Sequence, residues 1–185
     1  MIRANFLKRV PSFSLSGKVS CKMLEKWYNT RNSFWEEIMT VAKIVFASMT
    51  GNTEEIADIV ADKFRDLGVE VDVDECTTVD AEDFLDADIA VVATYTYGDG
   101  ELPDEIQDFY EDLAGLDLKG KLYGVVGSGD TFYDEFCKAV DDFDRCFAAT
   151  GAEKGSECVK VDLSAEDEDI EKLEAFAEEL VAKAN

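Results

Sequence analysis

The chain has 185 residues with 46% hydrophobic content, 18 basic and 42 acidic side chains and no histidine, giving a formal charge of −24. That length and apolar fraction suit one domain with a single buried core. The charge repels phosphate backbones and anionic lipid headgroups, so nucleic acid and membrane surfaces are excluded as expected partners, and the missing histidine removes the usual proton-transfer side chain and commonest metal ligand.

Chemistry is therefore expected from a cofactor. The charge is also unevenly divided: residues 1–38 hold seven basic and three acidic side chains, net +4, whereas 39–185 hold 11 basic and 39 acidic, net −28. Met39 stands just ahead of the first strand-like run and is a candidate initiator. Three readings of 1–38 compete: upstream translated or fused sequence, a targeting peptide, and an extra amphipathic helix over 22–38. No chemistry is expected of this basic leader, and 39–185 is read as the working domain.

From Lys43 onward, short β-rich runs alternate with segments of 3.6-residue apolar spacing, the pattern of β-α-β units. The first strand is expected over 43–47 and its helix over 54–67, with Ile56, Ile59, Val60, Phe64 and Leu67 on one face. Gly68 stands where a helix C′ glycine belongs, and Val69, Val71 and Val73 then alternate as in an edge strand. The unbroken apolar run 89–94 predicts a central parallel strand covered on both faces. Pro103 opens the next helix, whose buried stripe is Ile106, Phe109, Tyr110 and Leu113.

Strand four is expected over 121–127, a helix with a buried Phe143 over 134–149, a fifth strand over 157–163 and a last helix over 165–183. Ser164 is the expected N-cap of that last helix, ahead of an acid-rich first turn. Five strands with helices between them make a doubly wound α/β sheet. The longest strongly apolar stretch falls far short of the ~20 residues a membrane helix needs. The five cysteines, Cys21, Cys76, Cys137, Cys146 and Cys158, form no C-x-x-C pair and no even framework, so reduced thiols and a cytoplasmic location are expected.

In open parallel sheets a ligand sits outside the carboxyl ends of the strands, so the loops after strands one, three and four are the ones to inspect. The first is Ser48-Met49-Thr50-Gly51-Asn52-Thr53, which gathers hydroxyls and N–H groups at a helix N-terminus. It has neither the spacing nor the lysine of a Walker A loop, so it reads either as a site for one phosphate held by neutral donors or as an ordinary β-α turn. The second, Thr94-Tyr95-Thr96-Tyr97-Gly98-Asp99-Gly100, sets aromatics beside flexible backbone, as a planar ring requires; alone, it equally fits a tight turn with solvent-facing tyrosines. The third, from Gly127 through Ser128, Gly129, Asp130, Thr131 and Phe132 to Tyr133, offers close backbone approach, a carboxylate and a second aromatic for the other face of a ring. Three such loops at one sheet edge are hard to dismiss as plain structure.

Across 39–185 these residues resemble the flavodoxin family. Ser48 to Thr53 looks like the family's hydroxyl-rich loop for the FMN phosphate, position by position. Tyr97-Gly98-Asp99 is similar to its aromatic-Gly-Asp loop beside the isoalloxazine, and Gly129, Asp130 and Tyr133, followed by Phe136-Cys137, match a G-D-x-x-Y segment with F-C after it. Many relatives carry Trp where this chain has Tyr97. Cys137 resembles a cysteine near FMN in relatives, although a small apolar core residue is the competing reading. Only 150–164 separates the last two helices, which leaves no room for the extra loop of long-chain members, so the short-chain type is implied.

The resemblance implies a three-layer α/β/α fold around a five-stranded parallel sheet in the order 2-1-3-4-5, non-covalently bound FMN, and a low-potential one-electron carrier working between a reductase and acceptor enzymes. It also implies that the Gly98 carbonyl turns toward the flavin N5 and steadies the one-electron-reduced ring. The two-electron-reduced ring tends to be anionic, and Asp99, Glu101, Asp130, Asp134 and Glu135 are the carboxylates expected near it. At ~10 Å and an effective dielectric of ~20 to 80, each disfavours that anion by about 0.4 to 1.7 kcal/mol before salt screening. Redox proteins with basic docking faces are the expected partners, and self-repulsion makes a monomer the expected state. The rival readings are an FMN-dependent quinone or ribonucleotide-reductase-linked reductase on the same fold, a receiver domain, whose acidic pair and lysine this chain lacks, and a cofactor-free acidic interaction module.

Overall fold

The computed structural model describes residues 39–185. Met39 is its first residue, and the three readings of 1–38 concern residues that lie outside it.

The chain runs β1 (Val41–Phe46), α1 (Asn52–Asp66), β2 (Glu70–Glu75), a 3-10 turn (Ala81–Leu85), β3 (Ile89–Tyr95), a second 3-10 turn (Asp104–Ile106), α2 (Gln107–Leu113), β4 (Leu122–Gly129), α3 (Lys138–Thr150), β5 (Glu153–Lys154), β6 (Val159–Asp162) and α4 (Asp167–Ala184). Every strand pairing is parallel, in the order β2-β1-β3-β4-β5, and β6 also pairs with β4. β5 and β6 are thus two halves of one interrupted fifth strand. Gly155 still donates its N–H to the Tyr123 carbonyl at 2.8 Å, but a Cβ there would lie 2.1 Å from Leu180 Cδ2 on α4, so only glycine passes beneath that helix. The expected order 2-1-3-4-5 holds with this break at the fifth place.

Why these segments become these elements follows from their patterns. β3 has six of its seven residues buried, as a strand covered on both faces must, and β2 alternates at the edge of the sheet. Alternate side chains of the sheet feed two cores. One face carries Ile44, Val91 and Val126 under α1 and α4, where Phe64, Phe176 and Leu180 fill the layer. The other carries Val45, Val92 and Val125 under α2 and α3, with Phe84, Phe109, Phe143 and Phe147 packed together. Helices on both faces of a parallel sheet give three layers.

Several expected boundaries move, three of them at helix starts. The Pro103 segment forms a 3-10 turn before α2 begins at Gln107, because Pro103 itself remains extended at ψ 138. The helix expected from residue 134 starts at Lys138, since 131–137 fold into consecutive turns that end on Cys137 in the left-handed region, φ 51. Ser164 is not the last N-cap: Glu166 is, with its N–H meeting Asp169 Oδ2 at 3.4 Å, and the acidic residues Asp167, Glu168 and Asp169 make the first turn.

Candidate functional site

The loops after β1, β3 and β4 all open at the carboxyl edge of the parallel sheet, together with the end of β6. Each is held in shape by the strands beneath it.

After β1, Gly51 takes φ 93 and caps α1 without any side-chain cap. Its own N–H goes to Ser48 Oγ at 3.1 Å, and the first intrahelical bond is Glu55 N–H to Gly51 O. The N–H groups of Asn52, Thr53 and Glu54 are therefore left at the helix start without intrahelical acceptors. Met49, Thr50 and Gly51 are exposed beside them. Thr53 is buried, and its hydroxyl shares a 3.0 Å hydrogen bond with Ser128 Oγ, which locks the first loop to the end of β4. This is a set of neutral donors at a helix N-terminus, with the chemistry a phosphate needs.

After β3, the chain makes a small hairpin. Tyr97 N–H donates to Glu101 O at 2.9 Å and Glu101 N–H returns to Tyr97 O at 2.8 Å, while Gly98 and Gly100 take φ 50 and φ 105. Tyr97 is 54% exposed. Thr96 Oγ1 accepts the Ala139 N–H at 3.1 Å. Thr94 and Tyr95 are placed differently: the Thr94 side chain is fully buried, and the Tyr95 hydroxyl donates to Glu105 Oε1 at 2.9 Å below the edge. Burial, then the bond to Glu105, raises the Tyr95 phenol above its ordinary value.

After β4, Asp130 Oδ1 accepts the Phe132 N–H at 2.8 Å in a local Asx turn. Asp162 at the end of β6 accepts both the N–H and the hydroxyl of Thr131, at 3.1 and 2.7 Å. Phe132 and Tyr133 meet edge to face at 5.5 Å and stand exposed. Gly129 is required, because a Cβ would lie 2.9 Å from both N and Sγ of Cys137. Phe136 is half-buried, and the Cys137 side chain is fully buried with its thiol directed at the carbonyls of Gly127 and Val161. Burial pushes that thiol up to about 12. The core reading of Cys137 is thus the one its surroundings match.

The arrangement leaves large apolar side chains exposed at the sheet edge. Among the described residues, eight large hydrophobic side chains are exposed, and five of them, Met49, Tyr97, Phe132, Tyr133 and Leu163, stand at this edge. Exposed apolar surface ringed by polar groups marks a binding site, and a planar ring with an anionic tail fits aromatic side chains beside free helix N–H groups. FMN has that composition. Phe132, Leu163 and Asp162 were not singled out from sequence; the loop after the fifth strand shares the same edge and was the signal for the last two.

No helix among the described residues is long and apolar enough to cross a membrane. Cys76, Cys137, Cys146 and Cys158 are all free thiols.

Comparison with known proteins bears on the family of the chain. Residues 44–176 match the family described as Flavodoxin. A curated relative, probable flavodoxin 1 of Bacillus subtilis (strain 168), is 39% identical over 148 residues, 80% of this chain and 94% of its own. A solved flavodoxin of Streptococcus pneumonia TIGR4 is 85% identical with a TM-score of 0.77, covering 78% of this chain and 99% of its own. A solved short-chain flavodoxin associated with a non-canonical PDU bacterial microcompartment is 51% identical with a TM-score of 0.78, over 80% of this chain and 100% of its own.

Proposed function

The chain belongs to the flavodoxin family, short-chain type, and on that premise we propose how its residues divide the work of holding FMN and meeting a partner. It is an FMN-binding electron-transfer protein and not an enzyme, and it acts with redox partner proteins. FMN supplies the one-electron chemistry.

Residues 48–53 hold the phosphate, with Ser48, Thr50, Asn52 and Thr53 as side-chain donors and the helix N–H groups of α1 behind them. Neutral donors suffice because the field of the helix start already favours an anion. Tyr97 and Tyr133 cover the two faces of the ring, and Phe132, Met49 and Leu163 keep water from its rim. The backbone of 96–99 and 128–130 borders the ring edge, while Thr94, Tyr95, Phe136 and Cys137 support those loops from beneath. The apolar edge clustered on three converging loops is the observation that carries this reading.

A working domain of 39–185, with the basic leader 1–38 outside the flavin-binding fold, is part of the same proposal. So are a cytoplasmic monomer and partners with basic docking faces, supported by the net −28 of 39–185 and by Asp99, Glu101, Asp134 and Glu135 at or near the exposed edge. The test is a fluorescence titration of FMN-free protein with FMN, comparing the parent chain with Thr50→Ala/Asn52→Ala and Tyr97→Ala. Weakening by both variants is the expected result; parental affinity in both overturns the residue assignment. For the docking face, electron delivery by a flavodoxin reductase should slow steeply as salt rises, and a rate independent of salt overturns it.

A further inference from the structure

The first two residues of α3 grip the loop after β3 from both shoulders. Lys138 Nζ donates to the Gly100 carbonyl at 3.2 Å and to Asp142 Oδ2 at 3.3 Å. On the other shoulder, the Ala139 N–H donates to Thr96 Oγ1 at 3.1 Å. Gly100 is seated against this helix start so closely that a Cβ would lie 2.8 Å from Glu135 Cβ and 3.0 Å from Lys138 Cδ. Between the shoulders the 97–101 hairpin closes on itself, and a Cβ at Gly98 would meet nothing within 4 Å. The loop is therefore anchored at its base and free at its tip.

We propose that Lys138 is a positioning residue for the flavin ring: by holding the Gly100 carbonyl it fixes the base of the 97–101 loop and confines movement to the peptide between Gly98 and Asp99. The proposal rests on the reading that this loop borders the ring. Asp142, whose side chain is 17% exposed, keeps the ammonium in place while also pairing with Arg145. The Gly100 carbonyl cannot turn without losing a hydrogen bond to a charged donor, which is stronger than one to a neutral donor. Lys138 itself is 40% exposed, so part of that strength is lost to solvent. A fixed base leaves the tip with few alternatives. Ring affinity and the separation of the two reduction potentials then depend on a residue outside the motif loops.

Lys138→Met keeps the aliphatic stem against Gly100 and removes the donor; Gly100→Ala pushes the loop off α3 while leaving every charge in place. Amide exchange at Gly100 and Glu101 is measured by NMR in FMN-free protein, and FMN affinity and both potentials are measured at low salt and at about 0.5 M salt. Exchange about three- to tenfold faster, FMN bound several-fold more weakly, and a changed potential separation that persists at high salt are expected for Lys138→Met. Gly100→Ala should move all three in the same direction, and Lys138→Arg should restore part of the loss. The clamp is overturned if Lys138→Met leaves exchange unchanged and shifts both potentials together by an amount that vanishes in salt, because Lys138 then acts only as a charge. Failure of the parent protein to bind FMN would instead overturn the ring-site reading, and exchange in the FMN-free protein would still decide whether the loop is clamped.

Discussion

Gly98 has open space around it, whereas the buried cysteines are fixed by packing. Gly98 sits at φ 50, a region costing other L-residues roughly 1–2 kcal/mol, with open space around it. Gly98→Val should therefore fold, restrict the 98–99 peptide and narrow the gap between the two one-electron potentials; an unchanged gap by potentiometric titration would remove Gly98 from redox tuning. Burial pushes the Cys76 and Cys146 thiols up to about 11 and Cys137 to about 12. For these acids the raised value favours the thiol in the folded chain, so the reactive thiolate appears only well above neutral pH. At pH 8 they therefore stay protonated, whereas about one in four unperturbed cysteines is ionised. Mass spectrometry after brief iodoacetamide treatment should find all three unmodified in native protein and modified in urea. Rapid native alkylation of Cys137 would place it nearer solvent than its packing allows.

At the scale of elements, the site depends on joints between strands and helices. The buried Thr53–Ser128 hydroxyl pair ties the start of α1 to the end of β4 at 3.0 Å. Thr53→Val leaves Ser128 without that partner and should cost about 1–2 kcal/mol in urea unfolding of FMN-free protein. Thr53→Val/Ser128→Ala should cost less than the sum of its single variants, because removing both hydroxyls leaves no orphan; strict additivity would mean the two do not interact. Gly127 lies opposite Thr94 in the β3–β4 register, where a Cβ would be 2.1 Å from the Thr94 carbonyl oxygen. Gly127→Ala should destabilise by about 3 kcal/mol or more and displace both ring-side loops, read as a lower urea midpoint and weaker FMN binding. A parental midpoint would show that the strands separate easily.

For the whole molecule the dominant fact is charge. With 11 basic and 39 acidic side chains in 39–185, the compact state repels itself, and a few surface pairs such as Lys63 with Glu174 and Glu178 offset little of it. Added sodium chloride should therefore raise the melting temperature of FMN-free protein by several degrees between about 10 mM and 0.5 M, since screening removes long-range repulsion first. A flat or falling profile would mean that local ion pairs outweigh the net charge.

The order of strands and helices was legible because apolar periodicity is local: 89–94 is unbroken where β3 is covered twice, and Val69, Val71 and Val73 alternate where β2 is an edge. The loops proposed to hold the phosphate and the ring stood out in sequence because they are contiguous motifs. What sequence left open depended on residues far apart in the chain. Tyr95 turns under the edge because Glu105 accepts its hydroxyl, and the Cys137 side chain is buried toward Gly127 and Val161. Likewise, the fifth strand is interrupted after Lys154, next to Gly155, where a side chain would meet Leu180 of α4. Lys138 was one basic residue in an acidic chain until α3 brought it against Gly100. Local pattern determines which elements form and which loops carry the motifs; only packing decides which side chains face the ligand, because that choice is made by neighbours from other elements.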